Sequence, residues 1–190
     1  MKNWREIEGF SSWDDQGVLL ETILPLVIRP SLPVRIAEVG VYKGRMTSMW
    51  SGALLENGHV FEYNCVDNFQ GLEAGGEDTV QIRAKFYENT MEMGERAWAS
   101  GSKLIVHDKN SKEAAAEFED GTMDIVYLDT SHDFDSVCAD IDAWWPKVRV
   151  GGILCGDDYI DGWQGVVKAV NMNFAPEIGR VGRQQWYSQK

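Results

Sequence analysis

The sequence predicts an α/β fold with a doubly wound, mostly parallel sheet and helices on both faces. From residue 34 onward, short apolar runs alternate with segments of helical periodicity, which is the pattern of βαβ units. The 190 residues, 44% hydrophobic and 25% charged, fit one globular domain with a sizeable core. These two observations exclude disordered and fibrous classes.

The alternation predicts five strands, each followed by a helix, and a hairpin after the last helix. Strands are predicted over 34–39, 59–66, 103–106, 123–128 and 152–155, and helices over 46–55, 79–89, 111–118, 135–145 and 163–174. Residues 177–181 and 185–188, on either side of Gly182, predict a closing hairpin.

The first 33 residues do not follow this alternation. A helix is predicted over 18–28, capped by Asp14 or Asp15. We expect residues 1–33 to form a helical cap segment on the sheet or its upper rim, and residues 34–190 to form the ligand-binding domain within one domain overall.

The charge balance excludes several classes of partner. Eighteen Lys and Arg against thirty Asp and Glu give a net charge of −12, which repels phosphate backbones and anionic lipid. The apolar run over 17–28 is too short to span a bilayer, and the first residues do not resemble a signal peptide. We therefore expect a soluble, cytoplasmic protein without nucleic-acid or membrane partners.

The three cysteines are predicted to be reduced core residues. Cys65, Cys138 and Cys155 lie in apolar patterns and form no CxxC pair. A zinc ligand or a nucleophile is the less favoured alternative, because no cluster of Cys and His accompanies them.

The functional residues are expected where strands end, because ligands of open parallel sheets bind beyond the carboxyl ends of the strands. The first strand runs from Glu38 into a loop with Gly40 and Gly44. This G-x-x-x-G spacing differs from the G-x-G-x-x-G of dinucleotide sites, and Glu38 suits a ligand with an ammonium group. A purely structural pair of turn glycines is an equal alternative.

The next two strands also end in polar residues. Asp67 stands where nucleotide-binding folds hold ribose hydroxyls, with helix capping as an equal alternative. Asn110 and Ser111 follow the third strand and could bind an adenine ring, although a helix N-cap at Ser111 is favoured.

The fourth and fifth strands bring three carboxylates together, those of Asp129, Asp157 and Asp158. Like charges this close favour a bound cation, and all-oxygen ligation suits Mg²⁺, with Mn²⁺ or Ca²⁺ possible. A solvated turn is the alternative. His132, three residues beyond Asp129, is the best candidate general base among three histidines.

Together these motifs resemble the class I S-adenosylmethionine-dependent methyltransferases. The resemblance covers most of residues 34–175 and is greatest to the small-molecule O-methyltransferases of the macrocin sugar type and, more distantly, the catechol type. It rests on Glu38-Val39-Gly40 with Gly44, on Asp67, on residues 124–132 (DIVYLDTSH) and on residues 150–159 (VGGILCGDDY). It implies a seven-stranded sheet whose last strand is antiparallel.

The resemblance also implies roles for individual residues. The metal ligands would be Asp129, Asp157 and Asp158, and the catalytic residues Asp129 and His132. The residues implied to hold S-adenosylmethionine are Glu38, Gly40, Val41, Tyr42, Gly44, Thr47, Asp67, Asn68, Asn110, Ser111 and Asp129.

The acceptor is expected to be a hydroxylated small molecule, either a sugar or a phenol. Trp13, Tyr159 and Trp163 are the candidate residues of its pocket. Two alternatives stay open, an NAD(P)-dependent oxidoreductase and a catalytically silent binding module of the same fold. A homodimer through residues 144–145 and 186–187 is possible, as is burial of those aromatics in the core.

Overall fold

The computed structural model describes residues 3–70 and 79–190, and in them one seven-stranded sheet. The strand order is β3-β2-β1-β4-β5-β7-β6. Neighbouring strands among β1 to β5 are parallel, whereas β7 runs antiparallel to both β5 and β6. The strands are β1 Val34–Val39, β2 Phe61–Asp67, β3 Lys103–Asp108, β4 Met123–Leu128, β5 Val148–Gly156, β6 Gly179–Val181 and β7 Gln185–Gln189. The predicted fold class is confirmed.

Helices cover both faces of this sheet. Alternate residues of a strand point to opposite faces, so Ile36 of β1 enters one core and Ala37 enters the other. The first core is closed by α1, α2 and α3, and the second by α4, α5 and α6. The helices are α1 Val18–Val27, α2 Arg45–Glu56, α3 Thr79–Ala99, α4 Ser111–Ala115, α5 Phe134–Trp144 and α6 Gln164–Phe174.

Helix α3 and strand β5 extend furthest beyond their predicted bounds. Helix α3 continues past Asn89 to Ala99, because Met93 and Ala97 continue its buried face. Strand β5 begins at Val148 instead of residue 152, and its pairing with β4 shifts register around Gly151, whose φ is +76°. Glycine tolerates this backbone conformation, so the strand continues through an irregularity that periodicity does not reveal.

The N-terminal helix forms as predicted, but its predicted cap is wrong. Neither Asp14 nor Asp15 caps α1, whose N-cap is Gly17 without a side-chain bond. The Asp15 carboxylate instead accepts hydrogen bonds from Ser12 and from Arg183, in the turn between β6 and β7. The Arg183 guanidinium holds the pKa of Asp15 below its usual value, so this ion pair ties the N-terminal segment to the hairpin.

Large aromatics and thiols fill the two cores. Trp144 and Trp186 are fully buried within the chain, so they do not supply the surface of the possible homodimer. Cys65 and Cys155 are free and buried, as predicted, and burial raises the pKa of both thiols. Cys138 is also free but only half-buried.

Among the described residues, no helix combines the length and the apolar character needed to cross a bilayer.

A buried carboxylate joins the lower ends of three elements. Asp124 of β4 is 1% exposed and accepts hydrogen bonds from Arg149 of β5 at 2.6 Å, from the backbone N–H of Arg35 at 2.8 Å and from Arg29 at 3.2 Å. These donors compensate the cost of burying its charge.

We predict that Asp124→Asn destabilises the fold by about 3–5 kcal/mol, because it leaves two arginines without their buried counter-charge. The matched control is Asp120→Asn, which breaks an exposed ion pair with Lys147 and should cost about 0–1 kcal/mol. Urea unfolding of both variants measures the difference, and equal losses would contradict the role given to Asp124.

Candidate active site at the carboxyl edge of the sheet

The loop after β1 contacts the end of β4 at Gly40. The φ angle of Gly40 is +91°, and its N–H donates to the Val66 carbonyl at 2.8 Å. A Cβ atom at this position would lie 1.8 Å from the carbonyl oxygen of Asp129. Only glycine therefore lets the ends of β1 and β4 meet.

The second glycine of the loop, Gly44, is the N-cap of α2 and has φ +82°. A Cβ here would lie 2.6 Å from the Thr90 methyl group of α3. Packing alone thus requires both glycines, as expected for a purely structural pair of turn glycines. Their contact with a ligand stays a prediction.

The carboxylate of Asp67 holds this loop in place. It accepts hydrogen bonds from the N–H groups of Val41 at 2.9 Å, Tyr42 at 3.0 Å and Phe69 at 2.7 Å. A carboxylate offers about four acceptor sites, so one remains for a ligand hydroxyl. Asp67 is half-buried and its neighbour Asn68 is exposed, so solvent reaches both residues.

Backbone strain is concentrated at the same edge. Four non-glycine residues in the described part of the chain have positive φ, and three of them, Tyr42, Phe69 and Asp158, follow β1, β2 and β5. Such conformations cost about 1–3 kcal/mol each and cluster at functional sites.

Glu38 is buried beneath the loop. The residue is 1% exposed, and one carboxyl oxygen accepts hydrogen bonds from the hydroxyls of Thr47 and Tyr63, both at 2.7 Å. Burial raises the pKa of Glu38 to about 8, against the opposing effect of these two bonds. At neutral pH the side chain therefore carries a proton, and the structure places Glu38 and Thr47 in the core instead of on the surface of the crevice.

The residues after β3 already have structural partners. Asn110, one residue earlier than predicted, is the N-cap of α4 and accepts the N–H of Glu113 at 3.0 Å. The Ser111 hydroxyl accepts the indole N–H of Trp144 at 2.9 Å. Contact of Asn110 and Ser111 with a cofactor stays a prediction.

Three side chains converge beyond β4 and β5. Ligand atoms of Asp129, His132 and Asp158 all lie within 4.8 Å of one another, and Nε2 of His132 is 2.8 Å from a carboxylate oxygen of Asp158. Burial raises the pKa of Asp129, and Asp157 and Asp158 raise it further. Burial and Asp157 also raise the pKa of Asp158, against the lowering effect of His132. We call these three residues the edge cluster.

Asp157, one of the three predicted metal ligands, is not a member of the edge cluster. Its carboxylate accepts hydrogen bonds from the side chains of Gln16 at 2.6 Å, Gln185 at 2.7 Å and Tyr127 at 3.2 Å, and from the N–H of Asp158 at 2.8 Å. Asp157 is thus 7% exposed and held by four donors, although it lines the same cavity as Asp129 and Asp158. Its role as a metal ligand stays a prediction, and the structure adds His132 to Asp129 and Asp158 as a potential ligand.

Sequence reasoning missed the residues that hold Asp157. Gln16 precedes it by 141 positions and Gln185 follows it by 28, and neither lies in a recognisable motif. Their contacts depend on the packing of the N-terminal segment and of β7 against the end of β5, which no local pattern reveals.

Of the three predicted acceptor residues, the structure brings one to the edge cluster. The Trp163 ring stacks on His132 with centroids 4.0 Å apart and is 42% exposed. The Tyr159 hydroxyl donates to Asn171 of α6, and Trp13 packs against Gly17 and the first core. Tyr159 and Trp13 thus have contacts of their own, and their place in an acceptor pocket stays a prediction.

The model of the methyltransferase domain family matches residues 37–159. This range runs from the middle of β1 to the loop after β5. It includes the edge cluster and the loop over residues 40–44 after β1, which we call the glycine loop. A search of curated protein sequences found no match.

Several solved structures share the fold. CalS11, a TDP-rhamnose 3′-O-methyltransferase of calicheamicin biosynthesis, has a TM-score of 0.67 at 18% identity, over 92% of this chain and 78% of that chain. A SAM-dependent O-methyltransferase from Thermotoga maritima has a TM-score of 0.63 at 14% identity, over 96% and 67%. An S-adenosylhomocysteine-bound methyltransferase from Podospora anserina has a TM-score of 0.55 at 15% identity, over 83% and 72%. At these identities the similarity establishes the fold.

We predict that Gly40→Ala costs about 1–3 kcal/mol more stability than Gly101→Ala, since only the former places a Cβ against backbone. Gly101 has a similar φ of +83° with nothing within 4 Å, so it controls for the strain of positive φ alone. Chemical denaturation compares the two variants, and equal costs would show that the β1–β4 contact tolerates a methyl group.

Glu38 should also make the stability depend on pH. Its pKa in the folded protein, about 8, exceeds the usual 4.5, so its stabilising effect is fully present below pH 4.5 and is lost as the pH rises to 8. Over that interval we expect the free energy of unfolding of Glu38→Gln to rise, relative to that of the parent protein, by about 1.4 kcal/mol per pH unit. Urea unfolding at pH 5 to 9 measures this, and parallel pH profiles for the two proteins would contradict it.

Proposed function

From the premise that this chain belongs to the methyltransferase domain family, as its resemblance predicted, we propose that it methylates a hydroxyl group of a small molecule. The methyl donor is S-adenosylmethionine. In this proposal a divalent cation assists, and His132 is the general base. The observation that carries the proposal is the edge cluster, which places a histidine and two carboxylates directly beside the glycine loop.

The position of the edge cluster supports direct transfer between two adjacent sites. The N–H of Asp129 donates to the Val39 carbonyl at 2.9 Å, and the carbonyl of Asp129 touches Gly40. A cofactor on the loops after β1 and β2 would therefore end beside the side chains that follow β4. Methyl transfer needs this proximity, because the acceptor oxygen must be aligned with the methyl group.

The crevice residues fit S-adenosylmethionine, which supplies a methyl group activated by a sulfonium. Asp67 retains an acceptor site for a ribose hydroxyl, and the acids of the edge favour a cationic ligand. In this proposal the partly buried Gly40 and Tyr42 of the loop and the exposed Asn68 contact the cofactor. Glu38 and Thr47 lie in the core beneath the loop. We therefore propose that they hold the loop in position and do not contact the cofactor.

The donor set of the edge cluster also fits a divalent cation. Asp129 and Asp158 bring two carboxylates together whose mutual repulsion a cation would relieve, and oxygen ligands suit Mg²⁺ or Mn²⁺. A cation bound there would lower the pKa of the acceptor hydroxyl. In this proposal Asp157, whose carboxylate is held by four donors, supports the cation site from behind.

His132 is proposed to take the proton from the acceptor. Its ring is fixed on one side by stacking on Trp163 and at Nε2 by Asp158, so its orientation is defined before a substrate binds. The exposed part of Trp163 offers a flat surface for a phenol or for the apolar face of a sugar. A net charge of −12 favours a neutral or cationic acceptor.

The family match favours methyl transfer over the NAD(P)-dependent alternative, which the G-x-x-x-G spacing already disfavoured. The sugar O-methyltransferase activity of CalS11, which shares this fold, supports a hydroxyl acceptor. The branch of small-molecule O-methyltransferases is therefore the proposed place of this chain.

Titration with Mn²⁺ tests the cation site without any turnover. We expect Asp158→Asn to weaken Mn²⁺ binding at least tenfold, because it removes one of two carboxylates. Asp161→Asn, which changes a nearby exposed aspartate, should leave it unchanged. His132→Gln should preserve Mn²⁺ binding, so an equal loss in that variant would make His132 a ligand and remove its role as the base.

Methylation of an acceptor panel tests the reaction. With S-adenosylmethionine and Mg²⁺, we expect S-adenosylhomocysteine to form when a phenol or a sugar is the acceptor. The rate of its formation should be at least 100-fold lower in His132→Gln. Methylation confined to amines or thiols, or turnover unaffected by a chelator, would contradict the proposal.

A further inference from the structure

The side of α3 that faces away from the core carries an apolar stripe. Val80, Met91 and Trp98 are 74%, 66% and 79% exposed, and Tyr87 is 47% exposed. The opposite side of the same helix is buried in the first core. Helix α3 therefore has two apolar faces, of which the first core covers one within the described residues 3–70 and 79–190.

The stripe follows a heptad pattern. Its positions are separated alternately by four and three residues, which is the spacing of the a and d positions of a coiled coil. The α3 stripe consists of Val80, Ala84, Tyr87, Met91, Gly94 and Trp98.

The size of the stripe is sufficient for a specific interface. At 1.5 Å per residue it is about 27 Å long. Its four large side chains expose roughly 500 Å², so two copies packed together would bury about 1,000 Å² in total, which is near the lower limit for a specific interface. A patch of this extent is at the upper end of what monomeric proteins expose, and such patches are often functional.

The stripe is symmetric about its own midpoint at residue 89, which identifies a second copy of the chain as its occupant. A twofold axis there pairs two antiparallel α3 helices so that each a position meets a d position. The two central layers pair Tyr87 with Met91, and the next layer on each side pairs the small residues Ala84 and Gly94. The pairs are Val80 with Trp98, Ala84 with Gly94, and Tyr87 with Met91 of the partner subunit.

The charges around the stripe disfavour a lipid surface. Three basic and three acidic residues flank it on the exposed part of α3 and balance one another: Arg83, Lys85, Arg96, Glu88, Glu92 and Glu95. A helix that binds anionic lipid has a basic polar face, and the chain as a whole carries a charge of −12.

We propose that this protein forms a symmetric antiparallel dimer through the α3 stripe. The surface differs from the one expected around residues 144–145 and 186–187, whose Trp144 and Trp186 are buried in the core. Helix α3 also contacts the glycine loop, because the Asn89 side chain donates to the Lys43 carbonyl at 2.8 Å. A dimer through the α3 stripe would therefore stabilise the helix against which the loop packs.

Sedimentation equilibrium of the full chain tests the dimer. We expect wild type to have twice the 21.4 kDa chain mass at micromolar concentration and Met91→Glu to dissociate at least tenfold more readily. The matched control is Met172→Glu on α6, where the methionine is 64% exposed, and it should remain dimeric. A monomeric wild type, or equal behaviour of the two variants, would overturn the proposal.

Disulfide trapping tests the antiparallel register. In a Cys138→Ser background, oxidation of a mixture of Tyr87→Cys and Met91→Cys chains should link the two variants to each other. Dimers linked only between identical variants would indicate parallel helices and overturn the proposed pairing. A monomer that binds anionic vesicles and loses that binding in Met91→Glu would assign the stripe to a membrane and also overturn it.

Discussion

The contact between the carboxyl ends of β1 and β4 is the constraint on which the site depends. Val39 and Asp129 are joined by a backbone hydrogen bond of 2.9 Å, and Gly40 leaves no room for a side chain against the Asp129 carbonyl. The strand order reverses here, and open α/β sheets bind ligands beyond the carboxyl ends of the strands at such a point. The glycine loop follows one of the two strands, and the edge cluster begins with Asp129 after the other. The proposed cofactor and acceptor sites would therefore both depend on one junction in the sheet.

Asp157 organises the other side of the junction. Gln16 from the N-terminal segment, Gln185 from β7 and Tyr127 from β4 all donate to its carboxylate. Because these donors hold Asp157 inward, the chain turns at Asp158, whose φ is +63°, and sends the next carboxylate out to His132. Two adjacent aspartates thus have opposite roles, one structural and one at the surface of the site. The N-terminal segment and the hairpin contact the site through this buried carboxylate, and the Asp15–Arg183 ion pair joins the two segments to each other.

Much of this arrangement could be predicted because it follows from strand ends. Asp67, Asp129 and Asp158 come directly after apolar runs, and a parallel sheet brings such positions to one edge. Glu38 was harder to place, because a motif predicted a ligand residue whereas strand alternation puts its side chain in the core with Ile36. The inward turn of Asp157 and the length of α3 could not be predicted, because both depend on contacts between distant segments.

Calorimetric titration with S-adenosylhomocysteine, with and without Mg²⁺, tests the central claim most directly. The account predicts micromolar binding to wild type, and binding at least tenfold weaker in Gly40→Ala, whose added Cβ would displace the β1–β4 junction. Gly101→Ala, which alters a glycine outside the site, should bind as wild type does. Absence of binding to wild type under both conditions would contradict the assignment of this edge of the sheet as the methyltransferase site.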